Sequence, residues 1–107
     1  MNNSKNNILV CKSVRYFCNK DEDAFFEWIK KIECVESISR VGKELYLHIC
    51  ADDIHEYDLR DLIGLFYRYK VDMKQLARFL NKNNKSWFYD NKKAFWHKKV
   101  FQKTKSD

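Results

Sequence analysis

From residue 44 to residue 50, apolar and polar positions alternate without a break. Leu45, Leu47 and Ile49 share one side; Tyr46, His48 and Cys50 share the other. A period of two belongs to a strand with one face on a core. Val35 to Val41 reads as a strand before it, and Gly42-Lys43 as the turn between, since glycine enters positive φ without a Cβ clash. The two runs predict a β-hairpin. Upstream, Ile8 to Cys18 (ILVCKSVRYFC) is rich in β-branched and aromatic residues and predicts a first strand.

Elsewhere the period is helical. Asn19 is placed as an N-cap, with Glu22 three residues on at the spacing of a capping box. To about Glu33, Ala24, Phe25, Trp28, Ile29 and Ile32 fall on one face, and Glu27, Lys30, Lys31 and Glu33 on another. A second helix starts between Glu56 and Asp58 and turns Leu59, Leu62, Ile63 and Phe66 inward. Gly64 inside it costs about 1 kcal/mol relative to Ala, which points to close packing of that helix on a neighbour; Trp28 and Leu62 are both expected in the core. Asp72 caps a third helix with Met73, Leu76, Ala77 and Leu80 inward, ended by Asn81 to Asn84. Ser86 caps a last short helix or turn in WFYDNKKAFWHKK, a stretch without a clear period. The order predicts an α+β fold: a small three-stranded, antiparallel-type sheet covered by two to four helices.

Without an internal repeat or a long linker, the 107 residues read as a single domain. A disordered N-terminus (about residues 1–7) and a basic, aromatic C-terminal segment (residues 82–107) flank the core. Aromatic residues reach 16 %, proline is absent and only Gly42 and Gly64 are glycine, which excludes a chain disordered throughout. Met1 to Asn7 lacks a signal-peptide pattern, and no apolar run nears the roughly 18–20 residues of a membrane span. A cytoplasmic protein with no membrane partner is expected, with Cys11, Cys18, Cys34 and Cys50 as reduced thiols.

Charge is distributed unevenly. Residues 1–81 hold 13 Lys+Arg and 13 Asp+Glu, whereas residues 82–107 hold 8 Lys and 2 Asp, so the whole net charge of +6 sits in the C-terminal segment. There Trp87, Phe88, Tyr89, Phe95, Trp96 and Phe101 interleave with Lys82, Lys85, Lys92, Lys93, Lys98, Lys99, Lys103 and Lys105. Lysines neutralise phosphates and rings stack on unpaired bases. Equally, such rings can pack on the core and leave the lysines as a solvated rim. The opposite pole is acidic: Asp52, Asp53, Glu56, Asp58 and Asp61 lie within ten residues. Part of that serves the helix start, where acids meet the positive end of the dipole.

Catalytic and metal chemistry find little support. His48-x-Cys50 with Asp52, Asp53 and His55 nearby offers ligand types, but the close Cys pairs of structural zinc sites are absent. No family signature surrounds any cysteine. His97 with Lys98 or Tyr89 offers the residue types of metal-independent RNA cleavage, as most basic proteins do. Two isolated glycines cannot build a phosphate-cradling loop. No enzyme activity, cofactor or metal is expected.

In size and in Asn/Lys-rich stretches such as MNNSKNNI and FLNKNNKSW, the chain resembles the small immunity proteins of bacterial contact-dependent growth inhibition and related toxin systems. The resemblance implies a cytoplasmic, non-catalytic protein that binds one cognate toxin, often a nuclease, and blocks it. It transfers no site residue, because these families share no site. Many nuclease immunity proteins are acidic, whereas this chain is basic. The expected contact is therefore the acidic stretch Asp52, Asp53, Glu56, Asp58 and Asp61, with Lys92, Lys93, Trp96, Lys98 and Lys99 as the alternative basic and aromatic surface. A small RNA- or DNA-binding protein using residues 82–105 is the competing function.

Overall fold

The computed structural model describes residues 7–51 and 53–102. The expected disorder of residues 1–6, the carboxylate of Asp52 and the lysines at 103 and 105 lie outside the described residues. The fold is α+β. Strands β1 (Ile8–Lys12), β2 (Val35–Val41) and β3 (Glu44–Ile49) form an antiparallel sheet in the order β1-β3-β2. Helix α1 (Asn19–Lys30) joins β1 to β2. Helix α2 (Glu56–Tyr69), a 3-10 segment (Met73–Phe79) and the short helices α3 (Lys85–Phe88) and α4 (His97–Phe101) follow β3.

The hairpin forms as its pattern requires. Gly42 takes φ 62° while Lys43 stays negative, the arrangement of a type II′ turn. Leu45, Leu47 and Ile49 are buried, and Leu9 and Ile38 lie opposite Leu47 on the same face. One core cluster unites these residues with Phe25, Ile29 and Ile32 after β1, with six side chains of α2, and with Phe88, Trp96 and Val100 from the C-terminal segment. Leu62 is fully buried and Trp28 is half-buried against the same cluster. Trp28 is also the neighbour of Gly64: its ring lies 3.5 Å from where a Cβ would stand. That is ordinary contact distance, so a methyl would fit there and a larger side chain would not.

Several boundaries shift, each for a local reason. β1 ends at Lys12, not Cys18, because Ser13 turns the chain at φ 48°. Residues 13–18 become a loop whose Tyr16 ring packs 5.6 Å from Phe25. Asn19 is the first helical residue rather than the cap; Cys18 holds that position without a side-chain bond. Asp21 reaches back past the cap, its carboxylate accepting from the Phe17 N–H at 3.0 Å. α1 ends at Lys30 rather than Glu33, though Ile32 remains buried in the turn that follows. Ala24 is exposed. The expected third helix is capped by Asp72 but winds as a 3-10 segment. Three residues per turn stack Met73, Leu76 and Phe79, all buried, and leave Leu80 exposed. Its end is locked by Asn84, buried, which accepts from the Asn81 N–H and donates to the Phe79 carbonyl, each at 2.9 Å.

Lys70 ends α2 in the left-handed region at φ 57°. Helices favour glycine there; a residue with a Cβ carries a penalty of about 1–2 kcal/mol.

The 3-10 segment also protects a sheet edge. Gln75 accepts from the Val10 N–H at 2.8 Å and donates to the Val10 carbonyl at 2.9 Å, while Arg78 donates to the Ile8 carbonyl. An amide side chain thus stands where a fourth strand would pair, blunting an edge prone to association. Gln75→Ala removes both Val10 bonds and should lower unfolding free energy by about 1–3 kcal/mol. Urea denaturation measures this; a change below about 0.5 kcal/mol would contradict the role given to Gln75.

Candidate functional site

Helix α2 carries opposite charge at its two ends, and its position in the core keeps both ends at the surface. Its first turn holds Glu56 and Asp58; its last turn and cap hold Arg68 and Lys70. His55 caps the start, its Nδ1 accepting from the Tyr57 N–H at 3.1 Å. The His55 ring also stacks on the Tyr57 ring at 4.9 Å. Tyr57 itself is 73 % exposed.

The acids read from the sequence as one run do not form one patch. At 100° per residue, positions three or four apart share a face and neighbours do not. Glu56 pairs with Arg60 at 2.7 Å, and the Arg60 guanidinium lies 3.9 Å over the Trp87 ring. That carboxylate therefore faces the C-terminal segment. Asp53 is exposed and accepts from Asn81 at 3.3 Å on the same flank. Asp58 and Asp61 turn the other way and line a hollow with Lys31, Glu33, His55 and Tyr57. Asp58 is half-buried beside the Cys34 thiol; Asp61 is exposed. Of the expected contact residues, then, the fold groups Asp58 and Asp61 around Tyr57 and adds Glu33. It sets Asp53 and Glu56 apart. Tyr57 was within reach of the sequence, because it falls off the Leu59, Leu62, Ile63, Phe66 stripe. Glu33 was not, since only the packing of α1 beside α2 brings it there.

The C-terminal segment folds onto the core. Phe88 is fully buried, Trp96 is 7 % exposed, and Trp87 and Phe101 are partly covered. Their rings meet one another: Phe88–Phe101 at 5.0 Å, Phe88–Trp96 at 5.6 Å and Trp87–Trp96 at 6.2 Å. Trp96 is thus a core residue, which corrects its reading as a surface anchor. Aromatic burial draws it inward more strongly than flanking lysines hold it out. Lys92, Lys93, Lys98 and Lys99 are exposed around it. His97 donates from Nε2 to the Tyr89 carbonyl at 2.7 Å and packs 5.0 Å from Phe101, so its ring ties the segment together.

A second basic surface, unseen in the sequence, surrounds the other end of α2. Arg15, Phe17, Arg68 and Lys70 line one cavity, though the residues come from either end of a long stretch of chain. Phe17 is 85 % exposed.

Other reactive groups have structural partners. Ser39 and His48 meet at 2.8 Å across β2 and β3. Among the described residues, no group of three or more His, Cys, Asp or Glu side chains is placed to hold a metal ion. No helix of the described residues is long and apolar enough to cross a membrane. The four thiols are free, Cys11 and Cys34 buried and Cys18 and Cys50 exposed. Burial pushes Cys11 up to about 12; burial and then the Asp58 charge do the same to Cys34. Both remain neutral thiols through their ordinary value of 9.0. The stability tied to these neutral thiols is present below pH 9 and lost as pH rises from there through about 12. Iodoacetamide should therefore label Cys18 and Cys50 in the native protein at pH 8, and all four thiols only after denaturation. Equal labelling of Cys11 or Cys34 in the native state, read by mass spectrometry, would contradict their burial.

No protein-family model, no curated protein and no solved structure matches this chain.

Proposed function

We propose that the protein is a cytoplasmic, non-catalytic protein-binding domain of the toxin-immunity kind. In this reading it covers a basic surface of its partner with the acidic opening turns of α2. The observation that carries it is Tyr57: 73 % exposed, stacked on His55, beside a hollow rimmed by Glu33, Asp58 and Asp61.

The physics of interfaces supports that assignment. Most binding energy comes from a few anchors, tyrosine prominent among them, and surrounding charges set encounter rate and register. Tyr57 combines a large ring with a hydroxyl that can hydrogen-bond at the partner's surface. The capping bond and the stacked His55 ring order it before contact, which reduces the entropy lost on binding. A nuclease binds phosphates with a basic surface, and carboxylates around an aromatic anchor complement such a surface in charge. The acidic contact expected from the sequence is kept, but centred on Asp58 and Asp61 rather than on the whole acidic run.

The test uses the purified product of the gene adjacent to that of this chain, which the proposal expects to be a toxin. The parent protein should bind it tightly and rescue growth when the two are co-expressed. Tyr57→Ala should weaken binding by about 30- to 1000-fold. Glu33→Lys with Asp61→Lys should slow association by about tenfold or more, and most at low salt. Lys92→Glu with Lys93→Glu should leave affinity unchanged. No affinity in the parent, or equal affinity in Tyr57→Ala, would contradict the proposal.

A further inference from the structure

The far end of α2 is built differently. Arg15, Arg68 and Lys70 face one cavity of about 500 Å³, with Ser13, Asp21 and Phe17 completing its wall. Among the described residues no carboxylate lies within ion-pair distance of these three cations. Asp21 makes no ion pair with them, since one carboxylate oxygen accepts from the Tyr69 hydroxyl and the other from the Phe17 N–H, each at 3.0 Å, and its single charge is set against three cations in the cavity. It holds the loop that presents Phe17.

Lys70 lines two further hollows. One adds Tyr67, Lys74 and Lys99; the other adds Lys12 and Gln75. Asp72 lines both hollows as well, its carboxylate accepting from the Lys74 N–H at 3.1 Å. Cations therefore continue from Arg15 through Lys70 to Lys99. An exposed ring stands at each end: Phe17, and Phe95, which is 63 % exposed and packs edge-on against Tyr67 at 4.6 Å. Ser13 and Lys70 are the non-glycine residues held at positive φ among those described, and both line the first cavity. Backbone preference alone would put glycine at the Lys70 position. The lysine keeps a charge there against that preference.

We propose that this groove binds single-stranded nucleic acid, with phosphates on Arg15, Arg68, Lys70, Lys74 and Lys99 and unpaired bases stacked on Phe17 and Phe95. A line of five cations that make no ion pair among the described residues and outnumber Asp21 and Asp72 matches a phosphate backbone, and rings open to solvent match bases that have no partner strand. An acidic protein would use the cations but leave both rings unexplained; a duplex hides the base faces that the rings would stack on. The groove lies about 20 Å along α2 from Tyr57, so it stands independently of the toxin-binding surface.

Fluorescence anisotropy with a labelled single-stranded RNA of about 12 nucleotides tests the proposal across a salt series. Phe17→Ala should weaken binding by about tenfold or more. Arg15→Gln and Lys70→Gly should each flatten the dependence of log K on log salt by about 0.7. Lys92→Gln with Lys93→Gln, which removes two charges outside the groove, should leave the slope unchanged. Lys70→Gly should also keep or raise the melting temperature, separating lost binding from lost folding. Toxin affinity, where present, should be unchanged in Phe17→Ala. The proposal is overturned by absence of binding at low salt, by equal affinity for the duplex of the same sequence, or by a neutral Phe17→Ala. Equally effective displacement by polyglutamate or by a mononucleotide overturns it too.

Discussion

Everything else in this fold depends on the burial of α2. Six of its side chains, Leu59, Leu62, Ile63, Leu65, Phe66 and Tyr69, are buried in the common core. Each such side chain contributes about 1.5–3 kcal/mol when removed from water, and a helix of fourteen residues would be marginal on its own. Covering so wide an apolar stripe takes more than one layer. The sheet face of Leu9, Leu45, Leu47 and Ile49, the stripe of α1 and the aromatic C-terminal segment all join the same cluster. The rings that looked available to a ligand in the sequence are therefore consumed in part by this need for cover.

A helix enclosed along its length meets solvent at its ends and along one narrow strip. The two ends then differ in chemistry. Carboxylates collect at the start, where the dipole favours them, and cations at the finish, for the same reason. Each end also borrows from a segment flanking α1: Glu33 and Lys31 from the turn after it at the acidic end, Arg15 and Phe17 from the loop before it at the basic end. Both ends display an aromatic residue whose backbone N–H is tied locally, Tyr57 to His55 and Phe17 to Asp21. Backbone ordered in advance loses less entropy on contact. Two surfaces of opposite charge at the two ends of one helix follow from a single packing requirement.

Those parts of the fold governed by local rules were legible in the sequence. The hairpin was, because alternation and a turn glycine act over a few residues. So were the start of α2 and the Asp72 cap; that Gly64 meets a neighbour was legible, but not that the neighbour is Trp28. Where two local rules competed, reading failed. Met73, Leu76 and Phe79 fit a period of three, whereas the helical period that Met73, Leu76 and Leu80 also fit points Leu80 inward in place of Phe79. Asn19 looked like a cap, yet Cys18 holds that position and Asp21 reaches back to the Phe17 N–H one residue before it. The candidate sites were least legible. A run of acids hides the rotation that separates Glu56 from Asp58 and Asp61. Arg15 and Lys70 share no sequence pattern at all, and only the closure of the β1 loop over the end of α2 joins them. Trp96 shows the same limit from the other side, since its lysine neighbours conceal that the ring points inward.

The central claim is that α2 is the rigid axis on which both surfaces are preformed, and native-state amide hydrogen exchange of the free protein measures this most directly. The account predicts that the amides of Ile63, Leu65, Phe66 and Tyr69 exchange only through global unfolding, with the same free energy as the β3 amides of Leu47 and Ile49. Exchange of those α2 amides through a local opening, well below the global free energy while β3 stays protected, would contradict it.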